Sequence, residues 1–442
     1  MQKNLKTAKF GGSSLASAEQ FKKVIDIILS DPSIKYVVPS APGKRYNGDF
    51  KVTDKLYECY ELASTGHNID AVYHQFEERY RDIVEGLGMD YSLDDEFAKI
   101  KMSVIHNAGR DYAASRGEYL NAKILAKYLG FEFIDAKEII FFTDNGLLDA
   151  DKTYSVMSKR LKNVEKAVIP GFYGSMPNDT IKTFSRGGSD ITGAIVARAV
   201  GCDLYENWTD VSGFLMADPR IVNDPKVIDV ITYNELRELS YMGAGVLHED
   251  AVFPVRLMGI PINIRNTNAP EDNGTMIVAS CDNKTPENPI TGIAGKKGFC
   301  SITIEKDMMN SEVGFTRRVL SVLEKENISF EHIPSGIDTL SIIVSEKTIE
   351  GKHDIIMRSL CNAVQPDSVF IEDHIALIAV VGRGMRSATG TASRAIGAVA
   401  KANINLVMID QGSSELNIIL GVNENDLEAA ISAIYNEFNS LI

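Results

Sequence analysis

Residues 184–190 read Phe-Ser-Arg-Gly-Gly-Ser-Asp and connect a short run, Ile181 to Phe184, with a helical pattern at 191–200. The run predicts a strand, the paired glycines allow a tight turn beside a ligand, and Ser189 suits the N-cap of the helix. Such a turn is an anion site, because unpaired N–H groups and the helix dipole point at it. Arg186 adds a guanidinium that can hold a carboxylate or phosphate through two hydrogen bonds. A purely structural loop is the alternative for this stretch taken alone.

Composition limits the class of protein. The chain has 442 residues, 44% of them hydrophobic, and a formal net charge of −14. This length predicts two or three domains, and the negative charge argues against a nucleic-acid partner. No signal peptide is indicated, and no run approaches the roughly 18 apolar residues of a membrane-spanning helix. Five scattered cysteines without a C-x-x-C pair indicate neither a disulfide framework nor a zinc site, which favours the cytoplasm.

Strand and helix patterns alternate through the first half of the chain. A strand ends at Lys9, and the helix after it starts at a capping box made by Ser17 and Gln20. Further strands are predicted at 36–38, 131–134, 166–169, 181–184, 203–208 and 261–265. The alternation predicts an α/β domain with a mainly parallel sheet between helices and with ligands at the carboxyl ends of the strands. Lys9, Arg186 and Thr209 each fall at such an end.

The first of these strand ends is followed by a glycine loop. Gly11, Gly12 and Ser13 form a connection of the length expected between a strand and a helix. The functional interpretation is that the loop approaches nucleotide phosphates while Lys9 supplies positive charge to the group in transfer. The alternative is a solvated lysine beside an ordinary turn. No Walker A or G-x-G-x-x-G motif occurs, so the loop alone does not establish ATP binding.

Other polar residues of this half also have structural alternatives. Thr53 is alternatively the N-cap of a helix that begins near it. Ser115 and Glu118 match a second capping box, which would explain both without a ligand. Asp190 and Asp210 are alternatively an ordinary helix-start and turn aspartate.

The loop at 9–14, the stretch at 184–190 and the segment at 208–220 together resemble the aspartate kinases, members of the amino-acid kinase family. The resemblance runs from about Lys6 to the C-terminus. It implies ATP-dependent phosphorylation of the side-chain carboxylate of L-aspartate to 4-phospho-L-aspartate. That reaction is the first step of lysine, threonine and methionine biosynthesis, and its implied cofactors are ATP and Mg²⁺. No protein ligand for a metal is implied.

The resemblance also implies roles for individual residues. Lys9 would neutralise the transferred phosphoryl group, and Asp190 would orient Lys9. The implied aspartate contacts are Thr53, Glu118, Arg186 and Ser189. The implied nucleotide contacts are Lys9, Gly11, Gly12, Ser13, Ser40, Thr209, Asp210, Phe214 and Arg220.

One position departs from the family pattern. Residues 243–249 read Gly-Ala-Gly-Val-Leu-His-Glu, whereas aspartate kinases commonly read Gly-Ala-Lys-Val-Leu-His-Pro there. The usual nucleotide-contacting lysine is therefore Gly245. Two alternatives stay open at this point: a kinase of another small amino-acid carboxylate, such as glutamate or N-acetylglutamate, and a catalytically inactive amino-acid sensor.

The second half contains a repeat. Residues 314–329 and 390–405 coincide at an offset of 76 residues, and each reads as a loop, an amphipathic helix and a strand. Further strands are predicted at 301–304, 340–344, 377–381 and 416–422. Both copies fit a ferredoxin-like βαββαβ unit.

These copies resemble a tandem pair of ACT modules, the amino-acid sensors attached to this kinase family. The resemblance implies feedback control by lysine, threonine or both, and a homodimer or higher oligomer through the modules; dimerisation alone is the alternative. The implied effector contacts are Met309, Glu312, Ser329, Glu331, Ser335 and Asn405. The expected domains are 1–289, 290–370 and 371–442, with 290–297 a candidate strand of the last.

Overall fold

The computed structural model describes residues 4–185, 187–244, 247, 249–281 and 288–439. The chain forms two compact units. The first takes its described residues from Met1–Phe214, Val227–Tyr233 and Val246–Cys281. The second takes its described residues from Leu215–Lys226, Asn234–Gly245 and Asp282–Ile442. Within the described ranges, every helix is too short or too polar to span a membrane.

A mainly parallel sheet forms the centre of the first unit. The described strands of this unit are β1 (Lys6–Phe10), β2 (Ile34–Pro39), β3 (Glu132–Phe133), β4 (Ala167–Val168), β5 (Tyr173–Ser175), β6 (Ile181–Thr183), β7 (Leu204–Thr209), β8 (Val230–Thr232), β9 (Ile262–Asn266) and β10 (Thr275–Val278). The sheet order is β3-β4-β2-β1-β7-β9-β10-β8. All neighbours are parallel except β9 and β10.

Helices cover this sheet. The described helices of the first unit are α1 (Ala18–Ser30), α2 (Val52–Ser64), α3 (Asp70–Gly86), α4 (Asp94–Ile105), α5 (Arg110–Leu129), α6 (Ala150–Leu161), α7 (Gly188–Val200) and α9 (Glu249–Arg256), whereas α8 (Tyr233–Tyr241) belongs to the second unit from Asn234 onward. Ser17 caps α1 by accepting the Gln20 N–H, as its capping box predicts. Phe21 and Val24 of α1 are fully buried, and each such side chain stabilises the unit by about 1.5–3 kcal/mol. The predicted α/β class is confirmed.

Four local predictions are wrong. Helix α5 begins at Arg110, so Ser115 and Glu118 lie inside it and form no capping box. The N-cap of α2 is Lys51, so Thr53 is a helical residue rather than a cap. Helix α7 begins at Gly188 with Gly187 at its N-cap, which places Ser189 in the first turn. The strand predicted at 181–184 pairs with β5 in a separate antiparallel hairpin and not with the main sheet.

The second unit contains a single antiparallel sheet among its described residues. Its strands are β11 (Gly292–Glu305), β12 (Thr339–Ser345), β13 (Ser368–Val381), β14 (Met408–Asp410) and β15 (Asn417–Asn423), in the order β12-β11-β13-β15-β14. Its remaining helices are α10 (Phe315–Lys325), α11 (Glu346–Ile349), α12 (His353–Val364), α13 (Thr391–Lys401) and α14 (Leu427–Asn439). The first half of β11 pairs with the second half of β13, and the second half of β11 with the first half of β13. Both copies of the repeat therefore share two long strands.

The repeat predicted from the sequence is visible in two helices. Both ends of α13 lie 76 residues after the corresponding ends of α10. Gly314 and Gly390 precede these helices with φ angles of 79° and 86°, a left-handed conformation that glycine adopts without strain. The two copies thus enter their first helix through the same backbone turn.

Candidate active site

A buried lysine occupies the carboxyl end of the central strand β1. Lys9 lies directly opposite Asn207 of β7 in the strand register, so both side chains project from the same part of the sheet. The Lys9 Nζ atom lies 2.6 Å from Asp190 Oδ1, in the first turn of α7, and 3.3 Å from Asn207 Oδ1. Asn207 Nδ2 in turn donates to Asp190 Oδ1 over 2.9 Å. A lysine side chain only 7% exposed is therefore held in one position by a carboxylate and an amide.

The glycine loop after β1 packs against the segment after β2. The Gly11 N–H bonds to the Trp208 carbonyl over 2.9 Å, and the Gly43 N–H bonds to the Gly12 carbonyl over 2.8 Å. A Cβ atom on Gly12 would lie 2.9 Å from the Ala41 carbonyl oxygen, closer than real Cβ contacts. Glycine is thus required at position 12 because two stretches of backbone meet there. Ser13 begins a short 3₁₀ helix, and the Ser40 N–H bonds to the Phe10 carbonyl.

A buried arginine from α3 supports these loops. Arg79 Nη2 donates to Asp49 Oδ2 over 2.7 Å, and Arg79 Nη1 donates to the Gly43 carbonyl over 3.0 Å. Arg79 and Asp49 are 2% and 6% exposed, and Asp49 also pairs with Arg45 at 3.0 Å. Removal of Asp49 would therefore leave the buried Arg79 charge without its carboxylate partner. Because Gly43 also binds Gly12, Arg79 positions the glycine loop through that contact.

Glu118 is buried inside α5 at 5% exposure. Its carboxylate accepts a hydrogen bond from the Ala41 backbone, yet burial outweighs this and raises the pKa to about 8. Its Oε2 atom has no hydrogen-bond partner among the described residues. A buried acid with an open acceptor is suited to a cationic ligand group.

The other predicted substrate residues lie on neighbouring elements. Ser189 is 8% exposed and packs beside Gly171, where an added Cβ would lie 2.6 Å from the serine Oγ. The Gly171 N–H bonds to the carbonyl of Pro39 at the end of β2, so Ser189 lies near that strand end. Thr53 is half-buried in the first turn of α2. Arg186 lies outside the described residues, and so does Gly245.

The predicted nucleotide residues divide between the units. Thr209 ends β7, and its hydroxyl donates to Asp210 Oδ1 over 3.1 Å. Phe214 is 2% exposed, and its N–H bonds to Thr275 Oγ1 over 2.8 Å. Arg220 belongs to the second unit, where it is largely exposed and pairs with Asp218 at 2.6 Å. Its nucleotide role stays a prediction.

The predicted effector residues lie in the first repeat copy and the loop of the second. Met309 is buried, whereas Ser329, Ser335 and Asn405 are exposed. Glu312 pairs with Lys306 at 2.6 Å and with Arg318, and the Lys306 bond lowers the pKa of its carboxyl. Glu331 accepts a hydrogen bond from the Tyr241 hydroxyl, and its N–H bonds to the Ile343 carbonyl.

Sequence reasoning missed Asn207 and Arg79. The available signal for Asn207 was the polar pair Glu206-Asn207 in a strand expected to be buried on both faces. No pattern marks Arg79, because its partners lie 30 and 36 residues away. Within the described ranges, no group of three or more His, Cys, Asp and Glu side chains is placed to hold a metal ion.

Comparisons with known proteins agree with this geometry. A sequence model of the amino acid kinase family matches residues 5–266, and an ACT domain model matches residues 378–438. Aspartokinase 3 of Bacillus subtilis is 39% identical over 449 residues, covering 98% of each chain. The crystal structure of Clostridium acetobutylicum aspartate kinase is 52% identical with a TM-score of 0.89, covering 99% of this chain and 100% of that one.

A more distant structure shows the same fold. Escherichia coli aspartokinase III, in complex with aspartate and ADP, is 23% identical with a TM-score of 0.74, covering 98% of this chain and 99% of that one. The resemblance inferred from the sequence is therefore confirmed. The chain belongs to the aspartokinases, within the amino acid kinase family.

Proposed function

We propose that this aspartokinase transfers the γ-phosphoryl group of ATP to the side-chain carboxylate of L-aspartate, releasing ADP and 4-phospho-L-aspartate. The observation that carries the proposal is the buried lysine ammonium held by Asp190 and Asn207 beside the Gly11-Gly12 loop. The product is an acyl phosphate, a reactive intermediate for amino-acid biosynthesis.

The chemistry brings two anions together. The aspartate carboxylate is already ionised at neutral pH, so the reaction needs no general base and no covalent enzyme intermediate. Positioning and charge neutralisation must supply the acceleration. Lys9 supplies a fixed positive charge at the transferred group, and Asp190 with Asn207 keeps the ammonium from rotating away. The Gly11 and Gly12 backbone allows the phosphates to approach closely.

The substrate is held at both of its backbone charges. Glu118 takes the α-ammonium, because its open Oε2 atom is a buried acceptor. Ser189, in the first turn of α7, and Arg186 take the α-carboxylate, which the helix N-terminus also favours. Thr53, at the start of α2, contacts the bound amino acid.

The nucleotide lies against Ser40 and the end of β7, where Thr209, Asp210 and Phe214 contact it. Bound ATP would bring Mg²⁺ with it, an ion commonly held by phosphate oxygens, water and one or two carboxylates. Asp190 would be the carboxylate to hold such an ion, since its bonds to Lys9 and Asn207 both use Oδ1. When bound, the ion offsets the negative charge of the phosphates.

Release of ADP from ATP tests the proposal. A coupled assay is expected to show turnover with L-aspartate at a kcat/KM roughly 100-fold or more above that with L-glutamate or N-acetyl-L-glutamate, because an added methylene alone costs about 10–200-fold. Lys9→Ala, with a kcat expected to be at least about 100-fold lower, serves as the low-activity control. Faster turnover of either competitor would identify a different carboxylate kinase. No turnover, together with no binding of an ATP analogue by calorimetry, would contradict the enzyme and favour a sensor.

Regulation is proposed to act at the first repeat copy. Glu331 offers a carboxylate suited to the ammonium of lysine or threonine, and the Tyr241 hydroxyl already donates to it. Tyr241 is the last residue of α8. Near the start of this helix, the fully buried Glu235 pairs with Arg383 at 3.0 Å and accepts a hydrogen bond from the Thr291 hydroxyl. An effector that takes Glu331 must therefore displace the end of a helix that is anchored to the second repeat copy. A coupling of about 1–3 kcal/mol would change affinity about 5- to 150-fold.

Tyr241→Phe is expected to lower the concentration of lysine or threonine that half-inhibits the enzyme by about 2- to 10-fold. Loss of the hydroxyl frees Glu331 for the effector, and a typical net hydrogen bond accounts for this range. Inhibition curves check it, with the exposed Tyr128→Phe as the control. A higher half-inhibiting concentration would contradict the prediction, because it would mean that the Tyr241–Glu331 hydrogen bond stabilises the inhibited enzyme.

The wider organisation is proposed from the sequence. The kinase domain spans 1–289 and the ACT modules span 290–370 and 371–442, with 290–297 contributing to the second. The modules join copies of the chain into a homodimer or higher oligomer. The scattered cysteines fit the reducing cytoplasm.

A further inference from the structure

Two buried acceptors on one face of α5 lack a donor within the part of the chain that the structure describes. Glu118 Oε2 and Asn121 Oδ1 each have no hydrogen-bond partner among the described residues, and the two residues are 5% and 0% exposed. Residues three apart on a helix lie on the same face, so these acceptors are neighbours. An unpaired acceptor inside a protein is costly, and two together require an explanation.

The orientation of both groups is fixed by the segment after β2. Asn121 Nδ2 donates to the Ser40 carbonyl over 2.7 Å, and a carbonyl cannot donate in return. The amide therefore cannot exchange its nitrogen and oxygen without losing this bond. The Glu118 carboxylate accepts from the Ala41 backbone. Adjacent residues of one segment thus hold both side chains, and each keeps one oxygen open.

The chemistry of the pair indicates its ligand. Two acceptors without a donor suit a cation with several N–H groups, and an ammonium has three. One carboxylate balances its charge, while the neutral amide adds a second acceptor without a second negative charge. A pair of carboxylates at the same place would repel each other.

We infer that Asn121 is the second acceptor for the α-ammonium of the amino-acid substrate, beside Glu118, and so helps to select substrates that carry a free amino group. The inference rests on the proposed function, because it names a further contact in the same site. Asn121 then accepts a hydrogen bond from the substrate amino group, while Ser189 and Arg186 bind the α-carboxylate.

Comparison of aspartate with succinate tests this role, because succinate keeps both carboxylates and lacks the amino group. Asn121→Leu is expected to raise the KM for aspartate about 10-fold or more, the effect of losing a hydrogen bond to a charged group. The inhibition constant of succinate should stay within about twofold, and so should the KM for ATP. The ratio of succinate Ki to aspartate KM should therefore fall about 10-fold. Asn263→Leu is the control, because Asn263 is also buried and its Oδ1 atom also has no partner among the described residues; this variant should leave the ratio unchanged.

The outcomes separate a binding role from a structural one. If Asn121 only supports the Ser40 segment, its loss will weaken aspartate, succinate and ATP together, and an unchanged ratio will overturn the inference. Should Asn121→Leu fail to fold by circular dichroism, Asn121→Ser decides by the same ratio, because its hydroxyl is too short to serve both Ser40 and the ligand. Failure of the wild-type chain to release ADP with aspartate would instead overturn the proposed function.

Discussion

Lys9→Ala is expected to lower kcat by at least about 10²-fold while changing the KM for aspartate by less than about threefold. In the proposed mechanism the lysine side chain meets charge that develops on the transferred phosphoryl group, so its contribution should be larger in the transition state than in the bound substrate. Loss of one such donor costs about 10²–10³-fold in kcat. Steady-state kinetics with saturating ATP and varied aspartate measure both constants.

Lys6→Ala is the matched control for this experiment. Lys6 lies on the same strand and pairs with Asp31 at 2.8 Å and Glu206 at 2.9 Å, at the opposite end from the glycine loop. Its loss should lower stability and leave kcat within about twofold, since it contacts no proposed substrate group. A Lys9→Ala variant with a kcat within tenfold of the wild-type value would contradict the proposed catalytic role of Lys9.

The contrast between Lys9 and its partners shows how far sequence reasoning reaches. A lysine before a glycine pair at a strand end is a local pattern that fits either a phosphate site or a solvated lysine, and the family resemblance favours the site. Asn207 lies 198 residues from Lys9, and the contact depends on the register between β1 and β7. No local rule gives that register, because it is set by the packing of the whole sheet.

The two capping boxes show why a motif alone misleads. Ser17 caps α1 as predicted, whereas Ser115 lies in the second turn of α5 and donates to the Tyr112 carbonyl. A serine hydroxyl can form a hydrogen bond both at a helix start and inside a helix, so the capping-box pattern does not distinguish the two positions. Here α5 starts earlier, at Arg110, after Gly109 with a φ of 104°. Only that backbone turn, which the pattern omits, decides where the helix begins.

The repeat shows the opposite case. Its helices α10 and α13 were predicted because their amphipathic pattern is local and occurs twice. The shared strands were harder to foresee, since β11 and β13 each run for 14 residues through both copies. The sequence analysis predicts β11 as two short strands and only the second half of β13, whose first half it misses. Gly298 and His374, between the halves of these strands, have positive φ angles that break the regular strand pattern.

The second large effect concerns Glu118 and pH. We expect aspartate to bind about 50-fold more tightly at pH 8 than at pH 6. Burial raises the pKa of Glu118 to about 8, so the free enzyme is mostly protonated at pH 6. In the proposed site the α-ammonium pairs with the ionised carboxylate, so binding should release a proton, and affinity should rise about tenfold per pH unit until the pKa is reached. Calorimetry in buffers of different ionisation enthalpy should detect about one proton released at pH 6.

Glu118→Gln is expected to remove this pH dependence and to weaken aspartate binding at pH 8 by about 10²-fold, because the ammonium loses its only proposed negative partner. Glu96→Gln is the control, since Glu96 pairs with Lys123 on the α4 side of α5 and contacts no proposed ligand group. If the Glu118→Gln variant still bound aspartate much more tightly at pH 8 than at pH 6, another group would be responsible for the pH dependence.

Folding stability supplies an independent check with a definite sign. The folded pKa of Glu118, about 8, lies above its ordinary value of 4.5, so the folded chain keeps a proton that the unfolded chain releases. Stability from this group is therefore fully present below about pH 4.5 and is lost as the pH rises to about 8, by an amount on the order of a few kcal/mol. Without substrate, Glu118→Gln should lose less stability than wild type between pH 6 and pH 8 in urea unfolding. Saturating aspartate should reverse the comparison at pH 8, because only the wild-type carboxylate gains its counter-charge.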